Sequence, residues 1–87
     1  MGYRVRLRRA AQKQLDKLGE HDYQLIAKAL SALEIEPRPS GVKKLADSGL
    51  WRVRIGRYRV VCSINDGEGA VIVVRVAKRA EGTYKRL

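Results

Sequence analysis

The sequence predicts an α+β fold in which one strand and a helical hairpin precede a three-stranded antiparallel meander. Apolar residues alternate with charged ones over residues 3–7 and again over 51–64, which is the period of a strand. Between these segments the apolar spacing becomes that of a helix, and a β-branched run follows a turn sequence near the C-terminal end. Because 87 residues suffice for one core of modest size, we assign residues 1–87 to a single domain with the order β-α-α-β-β-β.

The first strand and the first helix lie at the start of the chain. Tyr3, Val5 and Leu7 alternate with two arginines, so one face of this strand is apolar and the other is basic. Apolar residues over 10–18 then recur at helical spacing. Gly19 is a plausible stop for this short helix, since helices commonly end at a glycine.

The second helix begins near His21 or Asp22, with Asp22 as its N-cap, and ends before Pro37. Pro37 and Pro39 both disfavour helix at the residue ahead of them. The segment 36–49, EPRPSGVKKLADSG, is rich in proline, glycine and serine. We expect it to be a loop that carries the chain back across the domain to the next strand.

Three strands form the predicted meander. Residues 51–55 and 58–64 alternate in the same way on either side of a short turn. Residues 70–76 are an apolar, β-branched run suited to a strand buried on both faces, and the Asn-Asp-Gly at 65–67 is a turn signal ahead of it. Consecutive hairpins favour antiparallel pairing, and the first strand of the chain is then expected at or beside the meander.

The most informative feature is a cationic strand face. In WRVRIGRYRVVCSIN the alternation places Arg52 and Arg54 on one side of a strand and Arg59 on the corresponding side of the next. Guanidinium groups bind phosphate oxygens through paired, charge-assisted hydrogen bonds. An ordinary solvated face is the plain alternative, but neighbouring guanidinium groups repel one another unless an anion is bound.

Composition agrees with a polyanionic partner. The chain has 19 Lys and Arg against 9 Asp and Glu, a net charge of +10 and a pI near 10.4. This balance is typical of nucleic-acid binders, although membrane surfaces and acidic proteins are also polyanions. Trp51 and Tyr58 lie on apolar strand faces, so we assign them to the core rather than to base stacking.

Several classes of protein are disfavoured. No apolar run approaches the roughly 18 residues of a membrane-spanning helix, and the first residues lack the apolar region of a secretory signal, so we expect a soluble, cytoplasmic protein. No Cys and His cluster, carboxylate pair or glycine-rich phosphate loop indicates a metal or a cofactor. The single cysteine, Cys62, is expected to be a buried spectator.

The motifs as a set carry a family resemblance. The stretch LWRVRIGRYRVV, followed by a β-branched strand and then AKRAEGTYKR, resembles the RelE/ParE superfamily of bacterial and archaeal toxins from toxin–antitoxin systems. The resemblance covers nearly the whole chain, because the family order is likewise one strand, a helical hairpin and a β-meander. It implies one of two activities: RelE-like toxins cut mRNA in the ribosomal A site, whereas ParE-like toxins inhibit DNA gyrase without cutting RNA.

The resemblance to the RelE-like branch implies a set of catalytic residues. In that branch, basic residues on two adjacent strands, an arginine after the last strand and a tyrosine near the C-terminus form the active site. The matching residues here are Arg52, Arg54, Arg59, Arg79 and Tyr84. ParE-like members share the glycine-tyrosine-arginine core, which here reads Gly56-Arg57-Tyr58-Arg59, but generally lack the full set. The complete set therefore favours a metal-independent endoribonuclease.

Each of these residues has an expected role in metal-free RNA cleavage. The ribose 2′-hydroxyl must lose a proton and attack phosphorus, the added charge must be stabilised, and the leaving 5′-oxygen must be protonated. Arg54 and Arg59 would clamp the scissile phosphate, while Arg52 holds a neighbouring one. Arg79 would stabilise or protonate the leaving oxygen, and Tyr84 would stack on a base or orient the 2′-hydroxyl. Because arginine is a poor base, Tyr84 is also the candidate proton acceptor.

Further basic residues are predicted to contact RNA around this set. They are Arg4, Arg6, Lys43, Lys44, Arg57 and Lys78. For the arginines of the first strand and for the loop lysines, plain solvation is an equal alternative.

The resemblance also implies partners. An acidic RelB-like antitoxin would wrap the basic domain in a toxin–antitoxin hetero-oligomer and cover its cationic groove. The ribosome, through rRNA contacts, and mRNA would be the targets of the RelE-like activity. A gyrase inhibitor of ParE type is the principal alternative, and a non-catalytic RNA-binding domain is the third.

Overall fold

The protein is described by a computed structural model that covers residues 2–39, 41–46 and 48–78. Its helices and strands, in chain order, are β1 (Arg4–Leu7), α1 (Arg9–Asp16), α2 (Glu20–Ala32), β2 (Lys43–Leu45), β3 (Leu50–Ile55), β4 (Tyr58–Asn65) and β5 (Ala70–Lys78). The strands form one sheet in the order β1-β5-β4-β3-β2. Strand β1 pairs parallel to β5, and the other pairs are antiparallel. The predicted α+β fold is confirmed.

Both helices lie on one face of the sheet, because their apolar sides have to be buried against it. The core contains Leu15 from α1 and Ile26 from α2, together with Val60 and Val73 from the two central strands. We call this side the helix-covered face and the opposite side, which carries the arginines of β3 and β4, the open face. Among the described residues no charged side chain is buried.

Cys62 lies fully within this core, as the alternation predicted. Burial raises the pKa of its thiol to about 11, because the apolar surroundings disfavour the thiolate. The thiol is therefore unreactive at neutral pH, since the thiolate is the nucleophilic form. Within residues 2–39, 41–46 and 48–78, no helix is long and apolar enough to cross a membrane.

The helix boundaries differ from the prediction at Gly19 and Asp22. Gly19 is not the stop of α1 but the N-cap of α2, in an extended conformation at φ −67° and ψ 165°. The prediction of Asp22 as the N-cap was also wrong. Asp22 lies in the first turn, where its carboxylate accepts a hydrogen bond from the Tyr58 hydroxyl at 2.6 Å. That bond raises the pKa of Tyr58 and ties α2 to the start of β4.

The segment expected to be a loop contains the short edge strand β2. Its register pairs Lys43 with Arg52 and Leu45 with Leu50. Three residues are too few to show an alternation in the sequence, so the strand is defined by its partner β3 rather than by its own pattern. The loop prediction was wrong at these residues.

The composition of β5 predicts a strand that is buried on both faces, and this prediction was wrong. Val71, Val73 and Val76 are buried, but Arg75 is exposed. The spacing of the buried valines changes after Val73 because the strand contains a β-bulge. Val61 of β4 pairs with Arg75, and the next residue, Cys62, pairs with Val73. One step along β4 therefore corresponds to two residues of β5. The extra residue is Val74.

Candidate nucleic-acid interface

The open face brings the three predicted arginines together. Arg54 of β3 lies directly opposite Arg59 of β4, and Arg52 lies opposite Val61, two pairs further along. Side chains of such cross-strand pairs start about 5 Å apart at their Cβ atoms. Val53 and Ile55 alternate with the β3 arginines and are buried in the core, so the folding of β3 itself holds the arginines outward.

Two hollows lie on this face and share Arg52. The first has a volume of about 290 Å³, an apolar floor that includes Val61 and Ala77, and a cationic rim. Its full lining is Leu45, Arg52, Arg59, Val61, Arg75, Ala77 and Lys78. The second has a volume of about 440 Å³ and is lined by Gly41, Lys43, Arg52 and Arg54.

The described residues that line the two hollows are cationic or neutral. None of them is a carboxylate. Clustered guanidinium and ammonium groups repel one another, and an anion bound among them removes that repulsion and gains charge-assisted hydrogen bonds. The arrangement is therefore suited to phosphate groups, and the apolar floor is suited to the face of a base or a ribose.

The other basic residues predicted to contact RNA are distributed over three parts of the molecule. Lys43 and Lys78 line the hollows. Arg57 is exposed in the turn between β3 and β4. Arg4 and Arg6 are exposed on β1, which is the opposite edge strand of the sheet from β2.

Lys44 is not part of the open face. It pairs with Trp51 across β2 and β3, and its Nζ lies 5.7 Å from the centre of the Trp51 ring. Since neighbouring residues of a strand point to opposite faces, Lys43 and Lys44 cannot both reach the hollows. Lys44 therefore lies on the other face of the sheet in a cation–π contact, and its predicted RNA contact stays a prediction.

Two of the five predicted catalytic residues, Arg79 and Tyr84, lie outside the described residues. The structure thus brings together the strand arginines of the set. Among the described residues there is also no group of three or more His, Cys, Asp or Glu side chains that could hold a metal ion.

Sequence reasoning missed one residue of this face, Arg75. The composition of residues 70–76 predicts a strand buried on both sides, and strict alternation would place Arg75 with Val71 and Val73 on the helix-covered face. The bulge at Val74 places it beside Val61 on the open face instead. A single arginine inside an apolar run was the available signal, because a charged side chain is rarely buried without a partner.

Sequence reasoning also missed a second polar cluster, which we call the Arg38 corner. The Arg38 guanidinium binds both carboxylate oxygens of Asp66, at 3.0 and 2.9 Å, and the Tyr3 hydroxyl donates to the same carboxylate at 2.7 Å. The Arg38 Cζ lies 4.8 Å from the centre of the Trp51 ring. Hydrogen bonds from Arg38 and then Tyr3 lower the pKa of Asp66 to about 2.

Comparison with protein families gives a match over most of the chain. Residues 5–82 match the family model described as the ParE toxin of the type II toxin–antitoxin system parDE. No curated protein matches the chain in sequence.

Solved structures with the same fold carry the RelE name. The archaeal RelE–RelB complex from Pyrococcus horikoshii contains a chain that is 31% identical, with a TM-score of 0.83 and coverage of 93% of this chain and 99% of that one. The RelBE2 toxin–antitoxin complex from Mycobacterium tuberculosis is 30% identical, with a TM-score of 0.81 and coverage of 93% and 95%. The intact Escherichia coli RelBE complex is 25% identical, with a TM-score of 0.75 and coverage of 87% and 95%.

Proposed function

Since the chain belongs to the RelE/ParE superfamily of type II toxin–antitoxin toxins, we propose that it is a ribosome-dependent mRNA endonuclease of the RelE type. The observation that carries the proposal is the open-face arrangement in which Arg54 faces Arg59 and Arg52 lies two pairs further along. Similarity to RelE chains at 30% and 31% identity supports the same branch.

The proposed reaction uses fixed cations in place of a metal. Arg54 and Arg59 hold the nonbridging oxygens of the scissile phosphate, and Arg52 holds a neighbouring phosphate. The 2′-oxygen forms a bond to phosphorus as the bond from phosphorus to the 5′-oxygen breaks, which leaves a 2′,3′-cyclic phosphate and a 5′-hydroxyl. The guanidinium groups stabilise the charge that develops on the phosphoryl oxygens.

Proton transfer is assigned to the C-terminal part of the chain. Tyr84 is proposed either to accept the 2′-hydroxyl proton in its phenolate form or to orient that group as a neutral phenol, and Arg79 to stabilise or protonate the leaving oxygen. Arginine binds phosphate well but is a poor general base, so the base is proposed to be a residue other than Arg52 or Arg54. The contribution of the strand arginines is therefore binding and charge stabilisation.

The test is cleavage by the antitoxin-free protein on programmed ribosomes and on the same naked mRNA, with new 5′ ends mapped. Tyr84→Ala and Arg59→Ala are compared with Arg9→Ala, which removes the same charge as Arg59→Ala from an exposed residue of α1. We expect cuts confined to the A-site codon, reduced in the first two variants, retained in Arg9→Ala and absent from naked mRNA. Equal cutting by all variants would contradict the proposal.

A ParE-type gyrase inhibitor is the second candidate, because the matching family model is named for ParE. It predicts no new 5′ ends on ribosomes and a block of DNA supercoiling when the protein is added to gyrase. In that case Tyr84→Ala would remain toxic. If neither ribosomal cleavage nor gyrase inhibition occurs, a non-catalytic RNA-binding domain is the remaining reading.

The proposal extends to partners and location. An acidic RelB-like antitoxin is proposed to neutralise the protein by covering the cationic open face, in line with the toxin–antitoxin complexes among its structural relatives. The proposed targets, the ribosome with its rRNA and mRNA, place the activity in the cytoplasm. Co-purification with the antitoxin at low salt and release at high salt would support the electrostatic part of this contact.

A further inference from the structure

We infer that Arg75 is a substrate-binding residue, which contacts, from the rim of the first hollow, the RNA phosphate next to the one that Arg52 holds. The identity of the bound strand as RNA rests on the proposed function. The placement of Arg75 rests on the sheet itself, through the bulge at Val74.

The bulge determines which face receives Arg75. In a strand without a bulge, residues 71, 73 and 75 share a face, and the buried Val71 and Val73 define that face as the helix-covered one. The extra residue Val74 reverses the alternation, so Val76 takes the next core position and Arg75 turns to the open face. Bulges commonly serve to re-aim a side chain next to a functional site.

Arg75 lies in one cross-strand row with Arg52. The register joins Arg52 to Val61 and Val61 to Arg75, so two interstrand spacings, about 10 Å, separate the two arginine Cα atoms. Both side chains line the first hollow, with Val61 between them on its floor. Two guanidinium groups on opposite sides of an apolar floor can bind phosphates on either side of one nucleotide, whose base or ribose rests on the floor.

Protection of a sheet edge does not explain this arginine. Charged residues often protect exposed edge strands from pairing with other chains. Strand β1 pairs with β5 only as far as Val73, but beyond that point the Val76 N–H donates a hydrogen bond to the Gln14 side chain of α1 at 2.7 Å. The edge of β5 beside Arg75 is therefore already covered by α1. Arg75 adds a cation to a face that already carries three arginines. This placement gains free energy when an anion is bound.

The experiment measures binding of a short single-stranded oligoribonucleotide to the antitoxin-free protein over a range of salt concentrations. Arg75→Ala and Arg75→Gln remove the charge, Arg75→Lys keeps it without the guanidinium fork, and Arg9→Ala is the control of equal charge. For the two neutral variants we expect the RNA affinity to be about tenfold lower. The slope of log K against log salt should be smaller in magnitude by about 0.7, the value for the loss of one phosphate contact on a single strand. Arg75→Lys should keep the slope with weaker affinity.

A second measurement separates this inference from the proposed function. On programmed ribosomes, Arg75→Ala should raise KM and leave kcat nearly unchanged, because the residue holds the substrate without taking part in bond breaking. If the unsubstituted protein does not cut mRNA but the salt slope falls as expected, the nuclease proposal fails and the phosphate contact stands. If Arg75→Ala and Arg9→Ala have equal RNA affinity and an equal slope of log K against log salt, the inference is overturned. In that case, weaker antitoxin binding by Arg75→Ala than by Arg9→Ala would assign the residue to the antitoxin contact.

Discussion

Arginine has two different environments in this small domain, the Arg38 corner and the open face. Arg38 is held by both oxygens of Asp66 and lies over Trp51, so its charge is satisfied within the molecule. Arg52, Arg54 and Arg75 lie on a face whose described hollows include no carboxylate. An arginine paired with a carboxylate connects parts of the fold, whereas clustered arginines provide a site for an anion from outside.

The open face and the Arg38 corner should differ most in how substitution of their arginines affects the rate of RNA cleavage. Arg54→Ala combined with Arg59→Ala should lower the rate of ribosomal cleavage by at least about 10²-fold, because removing even one preorganised donor to a developing charge costs that much. The measurement is single-turnover cleavage with equal amounts of folded protein.

Arg38→Ala is the matched substitution at the Arg38 corner. It should lower the midpoint of urea denaturation and leave cleavage per folded molecule unchanged, because Arg38 binds Asp66 rather than the open face. A loss of cleavage as large as that of the double variant would end the distinction between the two regions.

Substitutions in the core behind the open face should lower the stability of the protein more than substitutions on the open face itself. Ile26 is fully buried, so Ile26→Ala should lower the free energy of unfolding by about 2–5 kcal/mol. Arg54 is exposed, so Arg54→Ala should change the free energy of unfolding by no more than about 0.5 kcal/mol. Urea titration of both variants provides the check, and a comparable loss in Arg54→Ala would show that the open face also stabilises the fold.

The turn between Arg54 and Arg59 should not tolerate a side chain at Gly56. Its φ is +59°, and an added Cβ would lie 3.0 Å from a Leu25 methyl carbon. Gly56→Ala should therefore destabilise the protein by about 1 kcal/mol, since L residues disfavour this conformation. Gly2→Ala is the control, because Gly2 has no positive φ and an added Cβ would make only an ordinary contact of 3.5 Å with the Glu34 carbonyl oxygen. Thermal unfolding should show the smaller loss in the control.

The smallest expected effect is the acid sensitivity of the Arg38 corner. The pKa of Asp66 falls from 3.8 to about 2 on folding, so the corner contributes its full stability above pH 3.8 and loses it as the pH falls toward 2. Asp66→Asn should be less stable than the unsubstituted protein at pH 6 and closer to it at pH 2. Urea titration at the two pH values tests this, and a constant difference would assign the acid sensitivity to other carboxylates.

Part of the fold and of the candidate site could be predicted from the sequence because it depends on local patterns. The alternation over 51–64 placed Arg52, Arg54 and Arg59 on one face, and the apolar spacing placed Ile26 in the core. The helix starts were less accurate. Gly19 serves as an N-cap through an extended backbone, and Asp22 has Tyr58 as a partner 36 residues away, which no local pattern indicates.

The α+β order and the outward direction of the arginines on β3 and β4 follow from local patterns in the chain, because strand alternation depends only on successive residues. Only the tertiary structure decided that β2 pairs with β3, that Arg38 reaches Asp66, and that Arg75 joins the open face. These features depend on register between distant segments. A bulge of one residue reverses every later position of a strand, so the side that Arg75 faces was settled by how β5 pairs with β4.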